Sequence, residues 1–431
     1  MSYPCNVAVR DVTPCVVIVG AGCAGTLTAV NLLRCEGGPL RVVLVERSGA
    51  FGPGVAYSTA DERHRLNVVA ERMSAFDEDP GHFRDWVGRR LGPQPAGAYL
   101  PRGHFGAYLR ELLADAERAT PDRRLERVTG EAVDVEPTSA GAAVVLADGR
   151  RIVADHVVLA LGSLPAVPPV ALPDDPRIVA NPWAPGALST TSSDTTTLLV
   201  GSGLTGVDVA LSLCDAGERS RVVAISRGGC LPFDQLPGLR VPVPAPALPA
   251  APATVASLER WLAAHLRSVR SAGDDWRDAV DGVRPLVPRL WQSLSVAEQR
   301  RFVRERARAW ELRRHRMAPE TANRVRALLT SGRLLVRSGR VVAVRALAGT
   351  VEVLVASERG GLRTLRADRV VLCTGPGLDV RRAPSPLLQA LLGRRVASAD
   401  PLAIGLRASP EGVLLGADGR PQSSLHVLGP L

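Results

Sequence analysis

Two glycine triplets are the residues of this chain best placed to do chemistry. Residues 198–213 read LLVGSGLTGVDVALSL: an apolar run, then Gly201, Gly203 and Gly206, then an apolar-periodic segment. Residues 15–33, CVVIVGAGCAGTLTAVNLL, carry Gly20, Gly22 and Gly25 at the same spacing. A strand that turns sharply through glycines into a helix offers bare backbone N–H groups and a helix N-terminus to a phosphate. Each triplet therefore predicts a dinucleotide cradle.

The residues beyond the two triplets differ in a way that separates two nucleotides. The run RVVLVER brings Glu46 to a strand end, 26 residues after Gly20. An acid there accepts hydrogen bonds from both ribose hydroxyls of an adenosine. The later run RVVAISRGG ends instead in Ser226 and Arg227. A hydroxyl and a guanidinium suit a ribose 2′-phosphate, which predicts NADPH at the second cradle.

The elements that must position these residues repeat as well. Residues 125–163 and 334–376 each show alternating strands that end in a continuously apolar one, VVLALG in the first and VVLCTG in the second. Alternation predicts half-exposed antiparallel meanders, and the apolar run predicts a buried parallel strand. The fold class expected is α/β: two Rossmann-type (glutathione-reductase-like) dinucleotide-binding domains with β-meanders and a helical insert. The expected divisions are 14–165, the first part of the first dinucleotide-binding domain; 166–253, the start of the second, NADP-binding one with a proline-rich linker; 254–330, a helical insert; 331–394, the second meander and return; and 395–431, a closing segment of the first domain. Residues 100–118 predict an amphipathic helix with Phe105, Tyr108, Leu109 and Leu112 on one face. Thr254 and Ser295 are expected N-caps in the insert. Four tryptophans fall in that insert, Trp261, Trp276, Trp291 and Trp310, and are read first as core, with a substrate lid as the alternative.

Composition narrows the function classes. The chain has 431 residues, a net charge of +10 and no lysine, so all 53 basic residues are arginine. That excludes a lysine Schiff base and a P-loop lysine. The arginines are interspersed with acids, which gives no support for nucleic-acid binding. No apolar run reaches membrane-spanning length and no secretory signal opens the chain, so the expected location is the cytoplasm, with no membrane partner. The cysteines, Cys5, Cys15, Cys23, Cys35, Cys214, Cys230 and Cys373, make neither a CxxC pair nor a metal-ligand spacing, and are read as buried free thiols.

Two Rossmann-type units with meanders resemble the two-dinucleotide-binding flavoprotein superfamily, in which the first unit binds FAD and the second NAD(P)H. The stretch GPGVAYSTADERHRLNVVAERMSAFDEDPGHFRDWV, residues 52–87, is narrower. It resembles the bacterial FAD/NAD(P)-binding family related to flavin-dependent amino-acid N-hydroxylases and to aspartate N-monooxygenases that form nitrosuccinate. On these motifs the candidate FAD-binding residues are Gly20, Gly22, Gly25, Glu46, Arg47, Asn67, Met73, Val133 and Gly162. Those for NADPH are Gly201, Gly203, Gly206, Ser226 and Arg227.

The resemblance implies a monooxygenase that hydroxylates the nitrogen of a small amine or amino acid through a flavin C4a-hydroperoxide, with molecular oxygen as co-substrate. Without a CxxC pair the electrons must leave the flavin for oxygen or an organic acceptor. The alternatives are an NADPH reductase or dehydrogenase with an organic acceptor, and a redox-silent interaction protein; a homo-oligomer is left open. Asn67 is the first catalytic candidate, because its segment resembles the family's flavin-contacting loop; His64 and His104 are weaker ones. Most arginines of 300–308 read as a solvated helix face paired with Glu298, Glu305 and Glu311. An acidic substrate would suit the arginines of 313–316, with Arg313 and His315 named as catalytic candidates. In the families it resembles, the closing strand leads into a helix facing the flavin's pyrimidine edge. This sequence stops at Leu431, so either the natural C-terminus lies beyond it or the flavin site is incomplete.

Overall fold

The computed structural model describes residues 13–120, 123–189, 194–215, 217, 219–249, 253–357 and 360–430. Cys5 and Leu431 lie outside these. The chain divides into two compact units, one of Met1–Ala56, Gly106–Leu164 and Leu378–Leu431, the other of Tyr57–Phe105 and Pro165–Gly377.

The first unit is built on strands β1 (Cys15–Val19), β2 (Leu40–Glu46) and β3 (Arg123–Thr129), the meander β4 (Ala132–Thr138), β5 (Gly141–Leu146) and β6 (Arg151–Ala154), and β7 (His156–Leu159). Helix α1 (Cys23–Arg34) links β1 to β2. In the second unit β8 (Ile178–Val179), β9 (Thr196–Val200), α2 (Leu204–Asp215), β10 (Arg221–Ser226) and β11 (Leu334–Ser338) precede a meander of β12 (Arg340–Leu347), β13 (Thr350–Ala356) and β14 (Leu362–Ala367), then β15 (Arg369–Leu372). The chain closes in the first unit with β16 (Val413–Leu415) and β17 (Pro421–Val427).

The first sheet has the order β16-β17-β7-β1-β2-β3 and the second β11-β10-β9-β15-β8. The strands β7-β1-β2-β3 thus correspond to β15-β9-β10-β11, all parallel. Central strands covered on both faces can be apolar throughout. Val42, Val43, Leu44 and Val45 of β2 are all buried, as are Val370, Val371 and Leu372 of β15. The repeat extends to detail in the meanders. Each has a register shift in its first strand, between Ala132 and Asp134 in one and between Val341 and Ala343 in the other. Val133 is the extra residue of the first bulge, which turns it out of the strand's regular alternation.

The expected helix over 100–118 forms as Arg102–Ala119, and Phe105, Tyr108, Leu109 and Leu112 are all buried. The caps form as well. Thr254 and Ser257 make a reciprocal capping box at the start of α3 (Val255–Ser271), and Ser295 accepts from the Glu298 N–H at 3.3 Å.

In the compact units, residues 57–105 group with the second and 378–394 with the first, and the helical insert lies within the second. Other expectations are corrected. The proline-rich segment is not a free linker. The Val243 N–H donates to the Asp278 carbonyl at 3.0 Å, and Gly282 of the helix Trp276–Val283 lies so close that a Cβ there would meet the Val243 carbonyl oxygen at 1.8 Å. Trp261, Trp276, Trp291 and Trp310 are half-buried rather than core, because the short helices of the insert share a small interior. Among the described cysteines Cys15, Cys214 and Cys373 are buried, but Cys23 is only half-buried and Cys35 and Cys230 are exposed; all are free thiols.

Candidate functional site

The two glycine turns share one geometry. The Gly20 N–H donates to Val45 at 2.9 Å and the Gly201 N–H to Ile225 at 2.7 Å, so each chain leaves its strand still tied to the neighbouring one. Both residues have positive φ, 101° and 120°, a region glycine enters without strain. A Cβ on Gly20 would stand 2.3 Å from the Ala160 carbonyl oxygen, and one on Gly201 2.1 Å from that of Cys373. The third glycines seal the turns: a Cβ on Gly25 would lie 1.8 Å from the Gly20 carbonyl oxygen, and one on Gly206 2.5 Å from that of Gly201.

The second glycines are different, because their missing side chains leave open space. A Cβ on Gly22 would meet nothing nearer than Gly54 at 3.5 Å, and one on Gly203 nothing nearer than Arg308 Nη1 at 3.8 Å. Neither following helix has an acid in its first turn, and no side chain caps Gly22. A phosphate therefore meets bare N–H groups, a favourable dipole and no like charge at both turns.

At the first cradle Glu46 ends β2 beside the turn. Its Oε2 accepts from the Ala21 N–H at 3.0 Å, and its Oε1 accepts from Ser48 N at 3.1 Å and Ser48 Oγ at 2.9 Å. The carboxylate is thus fixed at the strand end where an adenosine ribose is held in such cradles. Arg47 next to it is exposed, and Gly162, with φ of 70°, has open space around it. These residues fit a dinucleotide such as FAD, because the turn is sealed by its outer glycines and open only at Gly22.

A family profile described as FAD-NAD(P)-binding matches residues 17–164. A curated relative, the 3-dehydro-bile acid Δ4,6-reductase of Clostridium scindens, is 28% identical over 162 residues, 34% of this chain. The match spans only 38% of that reductase. Among solved structures, the ornithine N-hydroxylase of Kutzneria sp. 744 with reduced FAD, NADP+ and L-ornithine aligns over 96% of this chain and 92% of its own, with a TM-score of 0.61 and 17% identity. The cadaverine monooxygenase of Erwinia amylovora, bound to FAD, aligns over 96% and 87% with a TM-score of 0.60 and 13% identity. This chain shares the two-domain FAD- and NAD(P)-binding fold of these flavoproteins.

At the second cradle the Ser226 hydroxyl is spoken for, 2.7 Å from Ser202 Oγ, which in turn bonds the Cys230 carbonyl at 2.6 Å. Arg227 is exposed and has no ion-pair partner among the described residues. Behind the turn, α2 carries a polar network that is buried at Asp208 and Ser212 and reaches the surface at Asp215. Asp208 pairs with Arg102 at 2.9 Å, Ser212 Oγ donates to Asp61 at 2.6 Å and lies 2.9 Å from His64 Nε2, and Asp215 pairs with Arg63 at 3.2 Å. Burial pushes the Asp208 carboxyl up to about 6, against the pull of Arg102 and with Asp61 adding to the rise. Burial also works against the Asp61 carboxylate, yet hydrogen bonds from Arg63 and Ser212 hold it well below the usual range. Burial lowers His64, whose Nδ1 lies 2.8 Å from Thr59 Oγ1. His64 is therefore a bonded interior residue. The segment bearing Asn67 and Met73 rests on α2 through these contacts.

Asn67 lines a small, solvent-open cleft in the second unit, together with Arg72, Tyr99, Arg240, Asp278 and Arg284. Gln235 joins the cleft wall to the buried side chain of Arg316: its Nε2 donates to the Asn67 carbonyl at 3.4 Å, and its Oε1 accepts from Arg316 Nε at 2.7 Å. Arg316 is 0% exposed and donates from Nη2 to both Asp281 oxygens at 2.7 Å. Arg240 pairs with Asp278, but Arg284 has no ion-pair partner among the described residues. Burial depresses the Arg284 pKa, and the charges of Arg314, Arg72 and Arg316 depress it further against Asp281.

The other sequence candidates are placed elsewhere. Arg313 donates to the Ala309 carbonyl at 2.9 Å and lies over the Phe233 ring at 5.6 Å, while His315 is bonded to Glu311 and lies 2.7 Å from Arg314 Nη1. Neither lines the cleft. Met73 follows the short 3-10 turn Ala70–Arg72 and donates its N–H to the Ala70 carbonyl at 3.2 Å. Sequence reading does not single out Arg284 or Arg72, and it leaves Arg308 on a solvated helix face. In a chain with 53 arginines, type and spacing carry no signal for these three.

Proposed function

We propose that this chain is an FAD- and NADPH-dependent monooxygenase that hydroxylates the nitrogen of a small amine or amino acid. The observation that carries the reading is the doubled cradle: a carboxylate at the β2 end of one and a guanidinium at the β10 end of the other. That pairing suits a resident FAD and a visiting phosphorylated hydride donor. Bound FAD, once reduced by NADPH, supplies the activation of oxygen. The chain's own part is to hold both nucleotides and to seat the substrate.

In the first cradle Gly20, Gly22, Gly25 and Glu46 would hold the FAD pyrophosphate and ribose, with Arg47, Val133 and Gly162 around them. In the second, Gly201, Gly203, Gly206 and Arg227 would hold NADPH. Asn67 and Met73 stand in the segment proposed to face the flavin. The cleft beside Asn67 supports a substrate carboxylate, since Arg284 offers donors that no carboxylate of the described residues pairs with, and it lies among other guanidinium groups. Charge-assisted bonds of this kind contribute about 1.5–3 kcal/mol each. An acidic or zwitterionic amino acid fits that cleft better than a plain diamine. Arg313 acts by positioning the neighbouring buried Arg316, whose Nη1 donates to the Arg313 carbonyl at 3.1 Å, and His315 links the two in sequence.

The experiment is a coupled assay with a panel of amino acids and diamines. NADPH consumption, oxygen uptake and hydroxylamine formation should rise together for one carboxylate-bearing amine. NADPH consumption that yields only hydrogen peroxide with every amine would count against the reading. One observation favours a second reading, a reductase with an organic acceptor: the similarity of part of the chain to a bile-acid reductase. Anaerobic turnover with an enone would support that alternative.

A further inference from the structure

The second cradle carries a cation that belongs to neither strand end. Arg308 comes from the helix Ala307–Arg314, more than a hundred residues after the glycine turn, and its Nη1 reaches 3.8 Å from the point where Gly203 would carry a Cβ. Its Nη2 donates a long bond of 3.5 Å to the Cys230 carbonyl, in the loop that follows β10 and Arg227. Nearby arginines on the same stretch are neutralised: Arg301 and Arg304 pair with Glu305, and Arg306 with Glu259. Arg308 forms no ion pair among the described residues, and neither does Arg227. Burial depresses the Arg308 pKa and the Arg227 charge lowers it further, while Cys230 and Glu311 act the other way. Two guanidinium groups, neither in an ion pair among the described residues, thus lie beside a phosphate-binding turn, one at its open glycine and the other at the end of β10. Like charges held this way are relieved by an anion between them.

We propose that Arg308 and Arg227 form a two-arginine clamp for the 2′-phosphate of NADPH, and that Arg308, rather than Ser226, is the second specificity residue. The Ser226 hydroxyl is engaged by Ser202, and Arg308 spans from the open position at Gly203 to the Cys230 carbonyl in the loop that follows Arg227. The clamp rests on the proposed use of NADPH. It adds that the helical insert, and not only the Rossmann unit, selects the nucleotide.

The test uses the full-length FAD-loaded protein and adenosine 2′,5′-bisphosphate as probe, with binding followed by calorimetry. Arg308→Ala should weaken the bisphosphate about tenfold to a hundredfold, the worth of one charge-assisted bond. It should leave adenosine 5′-diphosphate within about threefold and the FAD content unchanged, and Arg308→Lys should recover part of the loss because one donor charge remains. Wild-type binding should fall steeply with added salt. Unchanged bisphosphate binding in Arg308→Ala would overturn the clamp while leaving NADPH use intact. Equal loss of both probes would also overturn it, because Arg308 would then serve the pyrophosphate or the fold. Failure of the wild-type protein itself to bind the bisphosphate would overturn the clamp and the NADPH reading together.

Discussion

Gly22 and Gly25 stand three residues apart in one turn, yet the structure assigns them opposite sensitivities. Gly22 has φ of −73° and ψ of −166°, a conformation open to any residue, and a Cβ there would meet only Gly54 at an ordinary 3.5 Å. Gly22→Ala should therefore fold. Alanine is a poorer N-cap than glycine, so the cost is about 0.5–1 kcal/mol. The methyl group instead fills the space left for a phosphate. Overpacking of about 1–3 kcal/mol against the ligand weakens FAD binding about fivefold to a hundredfold. Gly25→Ala is the reverse case. Its Cβ would sit 1.8 Å from the Gly20 carbonyl oxygen, which is fixed backbone, so the turn itself must open. The cost to folding should reach about 3 kcal/mol or more. Urea denaturation of the apoprotein and fluorescence titration with FAD separate the two. Gly22→Ala that binds FAD as tightly as wild type, or that unfolds as readily as Gly25→Ala, would refute the cradle geometry.

Three further outcomes follow from particular contacts. The folded Asp208 carboxyl, near 6, lies above its ordinary 3.8, so the protein gains stability as pH falls through 6 toward 4. Relative to Asp208→Asn, wild type should gain about 2 kcal/mol between about pH 7 and about pH 4.5 in urea melts, and a flat difference would contradict the burial argument. Arg316→Ala leaves Asp281 without its partner and should destabilise the second unit by about 3–5 kcal/mol, read by thermal melting; a melting point close to wild type would show the pair to be dispensable. Arg284→Ala should raise KM for a carboxylate-bearing amine about tenfold with kcat little changed, and an unchanged KM would remove the cleft as the carboxylate site.

Much of this was legible in the sequence because it depends on local rules. The glycine triplets, Glu46 and the alternating meanders are short-range signals, and the structure places them in matching positions down to the paired register shifts. The N-caps at Thr254 and Ser295 were readable for the same reason. What the sequence hid was association over distance. Nothing local tells that Asp61, Arg63 and Arg102 bond to α2, and so that the loop bearing Asn67 belongs with the second unit. Nor does spacing say which of many arginines lacks a carboxylate: Arg316, read as a substrate ligand with its neighbours, is spent on Asp281, while Arg284 and Arg308 are not. The tryptophans misled because aromatic periodicity predicts a buried face, but all four stand only half-buried.

The most direct measurement is anaerobic titration of the FAD-reconstituted protein with NADPH, followed through the flavin's visible absorption band. One equivalent of NADPH should bleach one equivalent of bound flavin, and NADH should do so only at much higher concentration. A protein that takes up no FAD, or whose bound flavin stays oxidised in excess NADPH, would contradict the doubled-cradle account.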